Sequence, residues 1–316
     1  MNLDGVEVGR ASAADEAGLL KLVGLVQPHV PWEPEHLRWQ YFGLPAGVAR
    51  LYVVRAGSEI VALYAAVPQH LAVGDRARVA WMVQDVMTHP DYRGRGFLHH
   101  LGVLCLADIV AGGGIGYTFP NEQSERSFRR TGWTELCEVP SRLRSAGTMP
   151  VAHDRPRIEP LNQPFDDTAT GIWTSAGLEV GVRRDAAYLN WRYAKPKNRY
   201  YRFMVEGDRG LLVLKLYRRD RGSVLHICEL LVGAAHRALI PGMLAFCLEI
   251  ARREGAEEIT AWLPRGHPYA SFFDDQGVVL ERVQRRFVFV VAPRELGRTI
   301  FDPSAWHLTL GDSDVY

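Results

Sequence analysis

An internal repeat constrains the fold of this chain more than any other feature of its sequence. Four pairs of segments resemble each other in the same order: 35–45 with 187–196, 51–67 with 201–217, 81–87 with 225–231, and 117–128 with 261–272. The last two pairs share one offset of 144 residues without gaps. The repeat therefore predicts two copies of one module, a domain over 1–150 and a domain over 151–316, with the Pro- and Asp-rich stretch 155–171 near the junction.

Both copies have the same predicted order of secondary structure. In the first copy the patterns predict a strand over 80–88, a helix over 96–110, a strand over 115–120 and a helix after Asn121. The equivalent ranges of the second copy are 224–232, 237–254, 257–263 and 267–274. Together with the hairpins that precede them, these elements predict an α/β fold with a central mixed β-sheet flanked by helices in each copy. The recurring segments LRWQY (37–41) and LNWRY (189–193) are predicted to pack a helix on each sheet.

The segment THPDYRGRGFLHHL, residues 88–101, joins a predicted strand to a predicted helix. The first N–H groups of a helix have no partner within it and, together with the helix dipole, they attract anions. Gly94 and Gly96 permit a positive φ and close approach of a ligand, while Arg93 and Arg95 can pair with phosphate oxygens. The loop therefore predicts a pyrophosphate-binding site formed by the N–H groups between residues 93 and 98. The alternative is that the glycines only shape a turn.

Two motifs in this region resemble those of the GNAT N-acyltransferase superfamily. The loop is similar to the family's acyl-coenzyme A signature, Arg/Gln-x-x-Gly-x-Gly/Ala, with Arg93 first and Gly96 at the first glycine, although Leu98 replaces the last small residue. The family motif Asn-x-x-Ala-x-x-x-Tyr-x-x-x-Gly-Phe is matched in spacing by Asn121, Ser124, Phe128, Gly132 and Trp133. The resemblance covers about residues 50–140, and it implies a tandem GNAT fold with a degenerate second copy.

The resemblance also implies the co-substrate, which is acetyl-CoA or another short-chain acyl-CoA, and the residues that bind it. The implied binding residues are Val86, Met87, Thr88, Arg93, Gly94, Arg95, Gly96, Phe97, Leu98, Asn121, Ser124 and Phe128. In the implied reaction an amine attacks the thioester carbonyl directly, while a backbone N–H near Val86 to Thr88 holds the carbonyl oxygen. No metal takes part in this scheme, and the histidines have no metal-ligand spacing.

Direct attack requires a base, because an ammonium group is not a nucleophile. Asp85, which interrupts the apolar strand WMVQDVM, is the candidate base, and its alternative role is a structural contact in the core. The family's usual acid is a tyrosine, but this chain has Phe128 at that position. Ser124, Tyr117 or water is the alternative acid, and unassisted departure of the thiolate also remains open. Ser124 is therefore the second candidate catalytic residue.

The second copy lacks the loop glycines, because RALI (237–240) stands where the first copy has RGRG. It is expected to complete the substrate groove or to brace the sheet rather than to bind acyl-CoA. Asn190 and Arg192 differ from their counterparts in the first copy and are the candidate substrate residues. The C-terminal tail is a further candidate, since Asp312, Asp314 or the terminal carboxylate could face an amine.

Composition narrows the function classes. A net charge of +1 argues against nucleic acid as a partner, and no apolar run is expected to be long enough to span a membrane. The N-terminus has no basic-then-apolar secretory pattern, and four widely spaced cysteines predict free thiols in the cytoplasm. The resulting hypothesis is a cytoplasmic N-acyltransferase, monomeric or homodimeric, for a small amine such as an amino sugar or a sugar nucleotide. The alternatives are a non-catalytic acyl-CoA sensor or scaffold and a transferase that uses aminoacyl-tRNA.

Overall fold

The computed structural model describes residues 5–30, 32–147, 155–220, 222–281 and 287–313. The strands are β1 Glu7–Ala11, β2 Arg50–Ala56, β3 Glu59–Val73, β4 Arg76–Thr88, β5 Ile115–Thr118, β6 Thr134–Glu138, β7 Ser141–Ser145, β8 Ile158–Pro160, β9 Val180–Val182, β10 Tyr201–Val205, β11 Gly210–Arg218, β12 Ser223–Val232, β13 Glu258–Trp262, β14 Val279–Leu280 and β15 Phe287–Val291. The α-helices are α1 Glu16–Val26, α2 Pro34–Tyr41, α3 Phe97–Ala111, α4 Glu122–Arg130, α5 Asp167–Ser175, α6 Ala186–Arg192, α7 Ile240–Arg253 and α8 Ala270–Asp275. The mixed α/β class predicted from the sequence is confirmed.

The chain forms two compact units. The first comprises Met1–Leu71, Ala77–Glu138 and Arg286–Gly297, and the second comprises Ala72–Arg76, Val139–Arg285 and Arg298–Tyr316. Neither unit is continuous in sequence, whereas the repeat suggested one boundary at residue 150.

The first unit contains a mixed sheet in the order β1-β2-β3-β4-β5-β15-β6. β4 and β5 are parallel, from the pair Ala80 and Ile115 to the pair Val83 and Thr118. Apolar residues of α3 (Phe97, Leu101, Cys105 and Ile109) pack in the core with side chains of the sheet. Because only a short loop joins β4 to α3, the N-terminus of α3 lies near the C-terminal end of β4.

The second unit repeats this plan with a sheet in the order β14-β7-β13-β12-β11-β10-β8. Its parallel pair is β12 with β13, and α7 follows β12 as α3 follows β4. The offset of 144 residues carries β4, α3 and β5 onto β12, α7 and β13 to within a few residues. The element order predicted for both copies is therefore confirmed.

Each sheet contains a strand from the other half of the sequence. β7 follows the first copy but pairs with β13 and β14 in the second sheet. β15 follows the second copy but lies between β5 and β6 in the first sheet. The placement of β15, together with that of Ala72–Arg76 in the second unit, makes both units discontinuous in sequence. No local sequence signal predicted the exchange of strands.

The helical stretch Ala234–Arg253 corrects one expectation, because by length and composition it is apolar enough to cross a membrane. A 3-10 turn over Ala234–Leu239 lengthens α7 and produces this stretch. Seven of its apolar residues belong to the core of the second unit: Ile240, Met243, Leu244, Cys247, Leu248, Ile250 and Ala251. The stretch therefore has the burial of a core helix.

The four cysteines are free thiols, as predicted. Cys105, Cys228 and Cys247 are buried, and Cys137 is half-buried. Burial raises the pKa of Cys105, Cys137 and Cys228 to about 12, which keeps these thiols protonated at neutral pH.

Candidate functional site

A pocket of about 900 Å³ lies beside the loop between β4 and α3 in the first unit. It is lined by Val26, Gln27, Val86, Met87, Thr88, Tyr92, Arg93, Gly94, Arg95, Gly96, Phe97, Leu98, His99, Asn121, Gln123, Ser124 and Ser127. All the residues that the sequence analysis assigned to acyl-CoA binding are in this set except Phe128. The volume is ample for an extended nucleotide-bearing ligand.

The loop leaves a run of backbone N–H groups without protein partners. Gly94 and Gly96 have φ of 78° and 82°, and Gly96 is the N-cap of α3 without a side-chain cap. In the parts of the chain that the structure describes, the N–H groups of residues 94–99 donate to no protein atom. The N–H of Arg93 donates instead to the Pro90 carbonyl at 3.3 Å. The free run therefore begins at Gly94, one residue later than predicted.

The charge of the pocket favours an anion. Arg93, Arg95 and His99 line it, and its described lining includes no aspartate or glutamate. The Arg95 guanidinium stacks over the Tyr92 ring at 4.8 Å, which orders a side chain that otherwise extends into solvent. The first turn of α3 also has no acidic residue to neutralise the helix dipole. The free amide groups, the dipole of α3 and the arginine side chains would therefore all attract an anion into this pocket.

β4 continues past its pairing with β5. The last parallel pair is Val83 with Thr118, and the Thr118 hydroxyl also donates to the Val83 carbonyl at 2.8 Å. Val86, Met87 and Thr88 lie beyond this point and line the pocket. The thioester end of a ligand held by the loop would therefore meet the end of β4, where the resemblance puts the carbonyl-binding N–H.

Asp85 has an unusual backbone conformation at the same point of β4. Its φ is 51°, a left-handed value that costs a non-glycine residue about 1–3 kcal/mol and is concentrated at functional sites. Its Oδ2 accepts hydrogen bonds from the Tyr41 hydroxyl at 3.0 Å and from Gln40 Nε2 at 3.3 Å. The half-buried carboxylate is thus held at a set orientation beside the pocket-lining residue Val86.

Sequence reasoning missed Gln40 and Tyr41 as partners of Asp85. Both lie in LRWQY, which was predicted to pack α2 on the sheet, and both are indeed buried. The only available signal was a pair of polar groups within a segment assigned to packing.

Asn121 and Ser124 form the N-terminal cap of α4. Asn121 Oδ1 accepts from the Ser124 backbone N–H and from the Ser124 hydroxyl, both at 3.0 Å. Both residues also line the pocket. The predicted acid Ser124 therefore has a structural role that accounts for its hydrogen bonds, and a catalytic role requires its hydroxyl to change partner.

Phe128 lies in the core rather than at the pocket. It is 2% exposed, and its ring contacts the rings of Tyr64, Trp133 and Phe289. The Phe128 side chain packs in the core of the first unit and does not line the pocket. The structure therefore does not support the predicted contact of Phe128 with acyl-CoA. The residue at the family's tyrosine position contributes packing here.

The equivalent loop in the second unit is closed. The 3-10 turn over Ala234–Leu239 runs directly into α7, and no residue from Gly233 to Arg253 has a positive φ. Arg237, which aligns with Arg93, turns inward and donates to the Ala176 carbonyl at 3.2 Å. No comparable cradle of free amides therefore forms between Gly233 and Arg253.

Glu229, the counterpart of Asp85, is fully buried in an ionic cluster. Its carboxylate accepts from Arg184 Nε at 2.8 Å and from His307 Nε2 at 3.0 Å, while Arg184 also binds Asp312 at 2.7 Å. These contacts lower the pKa of Glu229 to about 2 despite its burial. His267 Nδ1 accepts the Tyr269 N–H, so its Nε2–H donates to His307 Nδ1 at 3.1 Å. Burial holds the pKa of His267 well below its ordinary value, so this imidazole is neutral at neutral pH.

The residues proposed to face a substrate in the second half have structural partners instead. The Asn190 amide makes two 2.8 Å hydrogen bonds with the backbone of Phe165. Arg192 is buried and donates to the carbonyls of Gly311 and Ser313, each at 2.7 Å. Asp312, offered as an amine ligand, is bound by Arg184, and Asp314 lies outside the described residues. The tail is anchored by these contacts up to residue 313.

Comparison with known proteins finds a family model that matches part of the first unit and solved structures that are similar in fold to most of the chain. Residues 7–135 match the family model described as "Acetyltransferase (GNAT) domain". The chain is similar to a "Probable N-Acyltransferase" from Enterococcus faecalis V583, with 12% identity and a TM-score of 0.68 over 91% of this chain and 72% of that one. It is also similar to Eis1 from Mycobacterium abscessus, with 16% identity and a TM-score of 0.64 over 94% and 76%. The predicted GNAT resemblance is confirmed.

A third similar structure is a GCN5-related N-acetyltransferase from Anabaena variabilis, with 14% identity and a TM-score of 0.67 over 90% of this chain and 72% of that one. No curated protein matches the sequence.

Proposed function

We propose that this chain is an N-acyltransferase whose residues 7–135, which match the family model of a GNAT acetyltransferase domain, transfer a short acyl group from acyl-CoA to the primary amine of a small metabolite. The observation that carries the proposal is the run of free N–H groups over residues 94–99, beside a pocket whose described lining contains no carboxylate. Such a run binds the diphosphate of acyl-CoA as it binds other phosphates.

Acetyl-CoA or another short-chain acyl-CoA would be held by the loop and by Arg93 and Arg95, and Asn121 and Ser124 also line the pocket. Bound in this way, it supplies a thioester carbonyl activated for attack. The end of β4 would position that carbonyl near Val86 to Thr88, where a backbone N–H can stabilise the developing negative charge.

Asp85 would accept the proton that the attacking amine loses. Tyr41 and Gln40 both donate to its Oδ2, which fixes the orientation of the carboxylate. The C–N bond then forms as the C–S bond breaks, and the electron pair leaves on sulfur. The Ser124 hydroxyl or water would protonate this thiolate, although a CoA thiolate is stable enough to leave without an acid.

The second unit would not bind acyl-CoA. The closed loop around Arg237 supports this assignment, because no free amide cradle is formed there. The free cysteines are consistent with a cytoplasmic enzyme. Amino sugars and sugar nucleotides are the first acceptors to test.

The second candidate is a protein that binds acyl-CoA without catalysing a transfer. It is favoured by the buried Phe128, which stands at the family's tyrosine position and has no hydroxyl to protonate the thiolate. Thermal-shift measurements with acetyl-CoA, butyryl-CoA and free nucleotides test the shared prediction of acyl-CoA binding. A panel of amines, read by release of the CoA thiol, then separates the two candidates. Binding without thiol release from any amine supports the sensor, and no stabilisation by any CoA contradicts both. Aminoacyl-tRNA as donor needs a separate assay, the transfer of a labelled aminoacyl group to the same amines, because its ester frees a hydroxyl and no thiol.

Asp85→Asn is expected to reduce turnover by about 100-fold or more, because the variant keeps the shape of the side chain but cannot accept the proton. The affinity for acetyl-CoA should stay within about twofold, since Asp85 is not among the residues that line the pocket. Steady-state kinetics and calorimetric titration measure the two quantities. A fall in melting temperature together with lost acyl-CoA binding would assign Asp85 a structural role instead.

A further inference from the structure

His99 is a pocket-lining residue that neither the repeat nor the GNAT motif assigned. It is the third residue of α3, it is exposed, and it lines the pocket beside Gly96. Within the described residues, its imidazole makes no hydrogen bond or ion pair with protein. The next residue, His100, is half-buried and does not line the pocket, because successive helical side chains point about 100° apart.

Apart from His99, the titratable side chains in the described lining of the pocket are two arginines and one tyrosine. The charged side chains that line it are Arg93 and Arg95, and Tyr92 is the remaining titratable one. The end of α1 contributes Val26, which Gln27 follows, and α4 contributes uncharged polar residues together with its N-cap Asn121. No carboxylate of the described lining competes with a ligand phosphate for a protonated His99.

We propose that His99 is a pH-dependent binding residue for the diphosphate of acyl-CoA. The inference rests on the proposed function, because it assigns a side chain to the same anion site as the free amides of residues 94–99. A protonated imidazole on the first turn of α3 can donate to a phosphate oxygen that the amides already hold. Histidine gains or loses its charge between about pH 5 and pH 8. Affinity should therefore be highest at low pH and fall as the pH rises.

The test is calorimetric titration of the full chain with 3′-dephospho-CoA between about pH 5.5 and pH 8.5. This probe keeps the diphosphate but lacks the 3′-phosphate of CoA, which itself titrates in this range. For the wild type we expect the Kd to rise about threefold to fivefold across the range, the size of a partly exposed charged contact. In His99→Gln the Kd should stay at its high-pH value throughout, and in the matched control His100→Gln the wild-type dependence should persist.

The outcomes separate the two proposals. If the wild type binds neither CoA nor 3′-dephospho-CoA at any pH, the proposed function fails. If it binds both, but the pH dependence is absent, survives in His99→Gln or disappears in both variants, the assignment of His99 is overturned while the proposed function stands. Melting temperatures of both variants within about 2 °C of the wild type would show that lost affinity is not lost folding.

Discussion

Gly96→Asp is expected to weaken acetyl-CoA binding by at least about 100-fold, which corresponds to about 3 kcal/mol. Gly96 lines the pocket and ends the loop at the N-cap of α3. A carboxylate there would face the diphosphate at short range and would neutralise the helix dipole that attracts it. A Cβ at this position meets no atom within 4 Å, so charge and backbone strain, rather than a clash, cause the effect. Calorimetric titration measures the affinity.

Two variants separate charge from strain. Gly57→Asp introduces the same side chain at a glycine with φ of 59°, also with open space around it, in the turn between β2 and β3. It reproduces the strain of a left-handed aspartate away from the pocket and should leave affinity unchanged. Gly96→Ala adds only strain, about 1 kcal/mol, and should retain most of the binding. Full affinity in Gly96→Asp would show that the loop is merely a turn.

Arg184→Met is expected to lower the free energy of unfolding of the second unit by about 3–5 kcal/mol at neutral pH. Arg184 is fully buried between Glu229 and Asp312, so its removal leaves two buried carboxylates without their cation. The matched control is Arg183→Met, the neighbouring residue, whose side chain is 35% exposed and lies 3.9 Å from Asp185. That variant should change stability by less than about 1 kcal/mol. Hydrogen exchange of β12 amides reports the stability of this unit separately.

At acidic pH the free energies of unfolding of the wild type and Arg184→Met should differ less than they do at neutral pH. In the wild type the folded pKa of Glu229, about 2, lies below its ordinary value of 4.5, so its stabilising effect is complete above pH 4.5 and is lost as the pH falls toward 2. In the variant the uncompensated carboxylate is destabilising at neutral pH, and protonation relieves it. Unfolding measured at neutral pH and near pH 3 tests this, and a constant difference would contradict the charge-balance explanation.

Local features were predictable because their causes are local. The left-handed conformations of Gly94 and Gly96 follow from residue type, and the open N-terminus of α3 follows from the strand–loop–helix order. The boundaries of α3 and α7 were close to those predicted, since apolar periodicity is set within one helix. Arg93 was the exception in the loop, because its N–H closes a turn on Pro90 that the spacing did not reveal.

By itself, the sequence determined that the chain is built from two similar α/β modules and that only the first has a glycine-lined helix entrance. Only the tertiary structure decided that β7 and β15 exchange between the two sheets and that Phe128 is buried. It also decided that the Tyr41 hydroxyl donates a hydrogen bond to Asp85 and that contacts of Arg192 and Asp312 anchor the tail. The physical reason is distance along the chain. Backbone conformation at a glycine depends on its neighbours, whereas the partner of a charged or polar side chain, 44 residues away for Asp85 and 128 for Asp312, exists only once the chain has folded.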